Sequence, residues 1–267
     1  MPAVWICKDH LVGIALQPRP VALLTGVGRV VGIGAGIALR LARDGWDVAT
    51  AHWSAYDDRM PWGRQASDVE KVSVALRGEG ASTVAVEADL SEIESPSKIF
   101  DAVEADLGPV TALIMCHCES VDSGLLETTV DSFDRHFAVN TRGSWLLIRE
   151  FALRYAAEPG RGRIVALTSD ATVGNLPYGA SKGALDRIVI ASARELAELR
   201  ITANVINPGP IDTGWMGDEL REQIVGLSPR GRGGRPTDTA ALVSFLCSVE
   251  GEWVNGQLLH SDGGLHA

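Results

Sequence analysis

The stretch VALLTGVGRVVGIG, residues 21–34, joins a short apolar run to an amphipathic segment through four glycines. The run VALLT predicts a buried strand, and the apolar spacing of Ile33, Ile37 and Leu41 predicts a helix that follows it. Glycines at such a junction let the backbone approach a phosphate, whose negative charge the free amides at a helix start favour. The stretch therefore predicts a phosphate cradle, with a glycine-rich surface turn as the alternative.

Strand and helix patterns alternate along the rest of the chain. Most predicted strands are near-continuous in apolar or β-branched residues, as parallel strands covered on both faces are. Gly45, Gly80 and Gly108 stand where helices are expected to end. This alternation predicts an α/β, doubly wound Rossmann fold with a mostly or wholly parallel seven-stranded sheet and helices on both faces. The predicted strands cover 21–25, 47–53, 82–89, 110–116, 163–169, 201–207 and 256–262, and the helices 33–44, 66–79, 93–107, 130–157, 177–199 and 236–249.

Length and charge narrow the class of protein. The 267 residues show no linker or internal repeat, so we expect one domain over 21–267 after an N-terminal extension over 1–20. A net charge of −10 argues against a general binder of nucleic acid or anionic membranes. No run approaches the roughly 18 apolar residues of a membrane span. Four cysteines without a C-x-x-C pair, behind a start that lacks a secretory signal, favour reduced thiols and a cytoplasmic location.

Tyr178 and Lys182 stand four residues apart on a predicted helix, so their side chains share one face. A phenol with a pKa near 10 is a poor acid or base at neutral pH. A neighbouring ammonium and a helix N-terminus both lower that pKa, and Pro177 suits the first helical turn. The spacing is typical of an acid–base pair, although an exposed pair without chemistry shows it too.

Matches in the same order along the chain resemble the short-chain dehydrogenase/reductase family. Tyr178 and Lys182 match its Y-x-x-x-K signature. Thr25-Gly26 and Gly32-Ile33-Gly34 match the two ends of its T-G-x-x-x-G-I-G loop, with two extra residues between them that we interpret as a bulge. The resemblance runs from residue 21 to about 264. Further matches are Asp89 and Leu90, Asn140, Ser169, Pro208, Gly209 and Thr213 within NPGPIDT, and the closing segment GQLLHSDGG.

The resemblance implies hydride transfer between a nicotinamide dinucleotide and a carbonyl or hydroxyl group of a small molecule, similar to the 3-oxoacyl-acyl-carrier-protein reductases. Tyr178 would be the general acid or base, and Ser169 would hold the substrate oxygen. Lys182 would lower the pKa of Tyr178 and grip the nicotinamide ribose, while Asn140 would hold a water in a proton relay. The residues that the resemblance assigns to the cofactor are Thr25, Gly26, Arg29, Gly32, Ile33, Gly34, Asp89, Leu90, Tyr178, Lys182, Pro208, Gly209 and Thr213.

Two segments depart from the family pattern. The loop between Ser169 and Tyr178 is shortened, which makes Thr168 the alternative to Ser169. The family's N-N-A-G is replaced by MCHC, residues 115–118. In an extended segment the two cysteines share one face while His117 points away, and no fourth ligand is near in sequence. We therefore expect no metal.

The end of the second strand bears on the choice of cofactor. An acidic residue there would bind the adenosine ribose of NAD, but residues 51–54 read AHWS. Arg29 in the glycine loop is a candidate partner for a 2′-phosphate. The sequence therefore favours NADP(H) and leaves NAD(H) open. Trp53 and Trp62 lie in the unusually long connection that follows.

The sequence leaves two alternative functions open, and the family resemblance implies an oligomeric state. An enoyl reductase is the enzymatic rival, although such enzymes space tyrosine and lysine further apart than Tyr178 and Lys182. An NADP(H) sensor without turnover is the rival from another class. By analogy with the family, we expect a homotetramer assembled through helices 130–157 and 177–199 and the chain end.

Overall fold

Strand β1, Val21–Thr25, pairs in parallel with β2, Asp47–His52, on one side and with β4, Val110–Met115, on the other. The computed structural model describes residues 19–266, and its seven-stranded sheet has the order β3-β2-β1-β4-β5-β6-β7 with every pairing parallel. The predicted fold class is confirmed. The order reverses between β1 and β4, so their carboxyl ends flank the crevice where such sheets bind ligands. The strands are β1 Val21–Thr25, β2 Asp47–His52, β3 Thr83–Glu87, β4 Val110–Met115, β5 Arg163–Leu167, β6 Thr202–Asn207 and β7 Leu258–His260.

Helices cover both faces of the sheet. Neighbouring residues of a strand point to opposite faces, so Leu23 joins a cluster with Phe100 and Phe151, while Leu24 joins one with Ile37 and Leu41. All six of these side chains are fully buried. The helices are α1 Ile33–Arg43, α2 Ser54–Arg59, α3 Asp68–Gly78, α4 Ser95–Leu107, α5 Val130–His136, α6 Ser144–Arg154, α7 Leu176–Glu195, α8 Asp218–Leu227 and α9 Pro236–Cys247.

The predicted helix over 130–157 is not continuous. A π-helical segment, Phe137–Gly143, separates α5 from α6. Such wider turns are frequent at functional sites, and this one contains Asn140. The apolar periodicity of the sequence passes through the segment without a break, which is why one helix was predicted. The short helix α2, in the long connection after β2, was not predicted either.

The chain enters the sheet through Arg19 and Pro20. The guanidinium of Arg19 donates hydrogen bonds to the carbonyl oxygens of Ala42, Trp46 and Gly80, at 2.5, 2.8 and 2.9 Å. The rest of the predicted extension, residues 1–18, lies outside the described residues. Between residues 19 and 266, none of the helices combines the length and the apolar character that crossing a bilayer requires.

Candidate active site

The residues singled out by the sequence gather at the carboxyl edge of the sheet. Thr25 is the last residue of β1, Ser169 follows the end of β5, and Pro208 follows the end of β6. Tyr178 and Lys182 lie in the first turns of α7, which the shortened loop connects directly to β5. Parallel strands bring these separate stretches to one edge, so a site assembled from all of them is possible.

The glycine loop packs tightly against the loop after β4. Gly26 has φ +76°, and a Cβ there would lie 2.5 Å from the backbone nitrogen of His117, so no other residue fits. The amide of Gly32 bonds the carbonyl of Arg29 at 3.1 Å, and this turn leaves the extra residues Val30 and Val31 exposed. The loop therefore lengthens outward, as the bulge interpretation predicts, and both of its ends keep their positions relative to β1 and α1.

Helix α1 offers an anion site at its start. The first-turn amides of a helix have no intrahelical partners, and α1 carries no acidic side chain in that turn. Gly34 is needed there because a Cβ would come within 3.0 Å of the carbonyl oxygen of Gly26. These features fit the diphosphate of a dinucleotide.

Arg29 ties the glycine loop to the segment after β6. Its guanidinium donates to the carbonyl oxygen of Thr213 at 2.6 Å and lies 4.5 Å from the centroid of the Trp62 ring. Trp62 comes from the connection after β2, so one arginine joins three loops at the edge of the sheet. In this arrangement Arg29 is committed to protein partners rather than free to meet a phosphate.

A cavity of about 260 Å³ opens beyond the carboxyl end of β2. Contrary to the sequence analysis, carboxylates do line it: Asp57 arrives from α2 and Glu87 from the end of β3. Residues 51–54 alone gave no sign of them because both are brought in from other parts of the chain. The other lining residues include one cation, Arg64. The full lining is Gly28, His52, Ser54, Asp57, Arg64, Gln65, Ala66, Val69 and Glu87.

Helix α2 covers part of the same edge. The carboxylate of Asp57 lies 2.8 Å from the point that a Cβ at Gly28 would occupy, so the missing side chain is what admits the helix. The indole nitrogen of Trp62 donates to Asp57 at 2.8 Å. The hydroxyl of Tyr56 hydrogen-bonds the sulfur of Cys118, which places α2 close to Tyr178 as well.

Tyr178 is partly exposed, and burial of its hydroxyl raises its pKa above the ordinary value, partly offset by a hydrogen bond from Ser169. Lys182 is buried, with its Nζ 5.7 Å from the Tyr178 ring centroid. That ammonium donates to the carbonyl oxygens of Leu167, at 2.8 Å, and His117, at 3.4 Å. The phenol is therefore protonated at neutral pH, and the expected lowering of its pKa by Lys182 stays a prediction.

Thr168 and Ser169 face different partners. Thr168 is buried, and its hydroxyl faces the carboxylate of Asp186, one turn after Lys182 on α7. Ser169, by contrast, is partly exposed and hydrogen-bonds Tyr178. Of the two hydroxyls that the sequence analysis considered, Ser169 is therefore the one beside the phenol.

Asn140 is fully buried in the π-helical segment and bonds the loop after β4. Its Oδ1 accepts from the amide of Glu119 at 2.7 Å, and its Nδ2 donates to the Glu119 carbonyl at 2.9 Å. The same Nδ2 donates to the hydroxyl of Ser181 at 2.8 Å, and Ser181 in turn donates to the carbonyl of Tyr178 at 2.7 Å. Asn140 thus fixes the start of α7. Its predicted water-holding role stays a prediction.

His117 connects the end of β1 to the π-helical segment through hydrogen bonds. Its Nε2 lies 3.2 Å from the carbonyl oxygen of Val139, which only accepts, so Nε2 carries the proton and Nδ1 accepts from the hydroxyl of Thr25 at 2.6 Å. Burial lowers the pKa of His117 to about 3, which keeps the ring neutral. Both ring nitrogens are engaged by protein groups, so His117 holds the loops together instead of facing a ligand.

Glu119 is a residue of this edge that the sequence analysis missed. Its side chain is 2% exposed and pairs with Arg59 of α2, at 2.5 Å, and with Arg135 of α5, at 3.5 Å. These ion pairs link helix α2 to the loop after β4, the loop that also hydrogen-bonds Asn140. The sequence signals only that this loop departs from N-N-A-G. The partners become visible once the fold brings α2 and α5 together.

The remaining residues assigned to the cofactor surround the same edge. Asp89 pairs with Arg135 at 3.0 Å, and Leu90 next to it is buried. Gly209 has φ +64°, and a Cβ there would lie 2.6 Å from Cβ of Asp262. Pro208 is buried and Thr213 is partly exposed. Their roles toward a dinucleotide stay predictions.

Comparison with known proteins settles the family. A family model described as enoyl-(acyl carrier protein) reductase matches residues 26–266. A solved short-chain dehydrogenase of Burkholderia cenocepacia in complex with NADP superposes with a TM-score of 0.81 at 30% identity, over 94% of this chain and 98% of that one. The chain belongs to the short-chain dehydrogenase/reductase family. It is an oxidoreductase of that family.

Named relatives of this short-chain dehydrogenase/reductase include a reductase-like protein from a plant and a reductase from a fungus. The chloroplastic NADPH-dependent aldehyde reductase-like protein of Arabidopsis thaliana is 37% identical over 94% of this chain and 97% of the relative. Versicolorin reductase 1 of Dothistroma septosporum is 34% identical over 91% of this chain and 95% of the relative. The likeness thus extends over nearly the full length of both.

Proposed function

We propose that this short-chain dehydrogenase/reductase is an NADPH-dependent carbonyl reductase that converts a ketone in a small molecule to an alcohol. The observation that carries the proposal is the geometry at Tyr178, whose phenol hydrogen-bonds the Ser169 hydroxyl while Nζ of Lys182 lies 5.7 Å from its ring centroid. A protonated phenol is the form that a general acid needs in the direction of reduction. When bound, NADPH supplies the hydride for the carbonyl carbon.

Ser169 and Tyr178 both act at the carbonyl oxygen of the substrate. Ser169 orients that oxygen by donating a hydrogen bond, and Tyr178 donates the proton that completes the alcohol. Lys182, held by the carbonyls of Leu167 and His117, lies next to the phenol. Burial lowers the pKa of its ammonium, and the protonated form favours the phenolate left behind. The start of α1 and the glycine loop would hold the diphosphate.

Two features favour carbonyl over enoyl reduction. Tyr178 and Lys182 are four apart, whereas enoyl reductases space these residues further, and two named relatives are reductases of aldehyde or versicolorin type. The substrate class we propose to try first is the 3-oxoacyl thioester. An α,β-unsaturated ketone contains both a carbonyl and a carbon–carbon double bond, so one substrate tests both reactions. An allylic alcohol as product supports the proposal, and a saturated ketone contradicts it.

We propose NADP(H) as the preferred dinucleotide. The support is the NADP in the Burkholderia cenocepacia structure, the NADPH in the name of the Arabidopsis relative, and the position of Arg64 in the cavity after β2. Within residues 19–266, Arg64 pairs only with exposed Asp58, at 3.4 Å, so its guanidinium is available to a 2′-phosphate. The carboxylates of Asp57 and Glu87 would repel a 2′-phosphate. Binding of NADP(H) in this cavity therefore depends on the positive charge of Arg64.

Arg64→Ala is therefore expected to weaken NADPH binding about tenfold and to leave NADH binding unchanged, because only the 2′-phosphate loses its partner. Fluorescence titration of both dinucleotides measures this. Arg77→Ala removes an exposed arginine on α3 that pairs with Glu70, and serves as the matched control. Equal losses for NADPH and NADH, or tighter binding of NADH by the wild type, contradict the preference.

We propose that the protein assembles as a homotetramer through α5, α6 and α7. Trp145 and Leu153 of α6 are 48% and 67% exposed, and Trp145 and Ile188 line an open groove of about 750 Å³. Apolar side chains clustered on exposed helix faces are typical of protein–protein interfaces. Light scattering is expected to give four times the chain mass of 28.4 kDa, and a mass of one chain rejects the proposal.

We also propose a cytoplasmic location. The support is the state of the cysteines: Cys116, Cys118 and Cys247 are free thiols in the part of the chain that the structure describes. Reduced thiols are usual in the cytoplasm.

A further inference from the structure

The segment after β7 brings together three side chains with metal-binding atoms. His260 ends β7, and Asp262 and His266 follow it in the closing turn. One ligand atom of each residue lies within 4.8 Å of those of the other two. The Asp262 side chain is 6% exposed, while the imidazoles of His260 and His266 are 43% and 39% exposed. The carboxylate is thus fixed, and the two imidazoles are open to an ion from solvent.

Asp262 is held firmly by the surrounding backbone. Its Oδ1 accepts from the amide of Gly264 at 2.9 Å, and its Oδ2 accepts from the amide of His266 at 3.1 Å. The close approach of its Cβ to Gly209 seats it against the segment after β6. A carboxylate oriented in this way is a ready-made ligand, since little of its freedom is lost on binding.

A fourth residue, from a different part of the fold, orients one of the imidazoles. His266 faces Asp262 with Nδ1, at 2.5 Å, and faces Oδ2 of Asp170 with Nε2, at 2.6 Å. Asp170 belongs to the loop after Ser169. Histidines that bind a metal through one nitrogen commonly donate the other N–H to a carboxylate, which sets the tautomer and strengthens the ligand.

The distances suit a small divalent ion after modest side-chain rotation. Ligand atoms about 2.1 Å from a tetrahedral zinc ion are separated from one another by about 3.4 Å. Oδ2 of Asp262 lies 2.5 Å from Nδ1 of His266 and 4.0 Å from Nδ1 of His260, one below and one above that value. Two imidazoles with one carboxylate favour zinc and its neighbours over magnesium or calcium, which prefer oxygen ligands.

We propose that His260, Asp262 and His266 bind one divalent transition-metal ion, with Zn²⁺ as the reference ion and Asp170 as the positioning residue for His266. The ion would fasten the closing segment to the loop that carries Ser169. These residues form the spacing H-x-D-x-x-x-H near the chain end, separate from the segment 115–118 on which the expectation of no metal depends.

The test uses tag-free, full-length protein stripped with a chelator and titrated with Zn²⁺ against a chromophoric competitor. One ion per chain is expected. His266→Ala is expected to weaken binding at least about 100-fold, and Asp170→Asn about 10- to 100-fold because the imidazole loses its orientation. His260→Gln, at an exposed side chain, replaces His266→Ala if that variant does not fold.

Two matched controls separate this site from others. Asp58→Asn removes an exposed carboxylate that pairs with Arg64 elsewhere, and Cys118→Ser removes a free thiol of the loop after β4. Both are expected to bind Zn²⁺ like the wild type. A wild-type protein without saturable Zn²⁺ binding overturns the proposal, and so does equal affinity of the wild type and both histidine variants. Neither result depends on turnover, so this test and that of the reductase are independent.

Discussion

Tyr178→Phe is expected to lower kcat for ketone reduction by about 10²- to 10⁴-fold, the range over which positioned general acids contribute. The substitution removes the hydroxyl beside Ser169 and keeps the ring packed at the start of α7. Because the phenol acts on the substrate oxygen, the dissociation constant for NADPH is expected to change little. Steady-state NADPH consumption and a fluorescence titration measure the two quantities.

Tyr155→Phe provides the control for loss of a phenolic hydroxyl. Tyr155 follows α6 and donates to the carbonyl of Glu158 at 2.8 Å, away from the carboxyl edge of the sheet. Its variant is expected to keep the wild-type kcat. A Tyr178→Phe enzyme with wild-type kcat would remove Tyr178 from the mechanism.

Gly26→Ala is expected to lower the free energy of unfolding by about 2–5 kcal/mol. Part of this is the positive φ of +76°, which costs a residue with a Cβ about 1–2 kcal/mol. The rest is overpacking, since the new Cβ would lie 2.5 Å from the nitrogen and 2.7 Å from the oxygen of the backbone at residues 117 and 116. Urea denaturation followed by fluorescence measures the difference.

Gly80→Ala separates these two contributions. Gly80 has φ +79°, nearly the same conformation, but the nearest atom to its added Cβ is the end of the flexible Arg19 side chain at 3.5 Å. Only the conformational part, about 1–2 kcal/mol, is expected there. Equal destabilisation by the two variants would show that the contact between the glycine loop and the loop after β4 is loose.

The fold was predictable because its signals are local and repeated. Each buried parallel strand is a short apolar run, and each crossover helix carries its own periodicity, so the sheet follows from general rules on parallel connections. The π-helical segment around Asn140 was not predictable, because it leaves the apolar pattern unchanged. The predicted strand over 163–169 ends two residues earlier, at Leu167.

The site was predictable where one stretch of chain carries the pattern. Tyr178 and Lys182 share a helix, and the glycine loop joins β1 directly to α1. The carboxylates of Asp57 and Glu87, by contrast, reach the cavity after β2 from α2 and from β3. Likewise, the contacts of Glu119 with Arg59 and Arg135 join segments far apart in sequence. Interactions of this kind depend on tertiary packing, which no short motif encodes.

The central claim is that this short-chain dehydrogenase/reductase reduces a ketone with NADPH, and the most direct measurement follows the hydride itself. NADPH carrying deuterium at both C4 positions is incubated with the wild-type protein and a panel of ketones that includes a 3-oxoacyl thioester. Mass spectrometry of the products is expected to find deuterium on the carbinol carbon of at least one alcohol, with little or none in the Tyr178→Phe reaction. NADPH binding without deuterium in any alcohol would contradict the claim and favour an NADP(H) sensor.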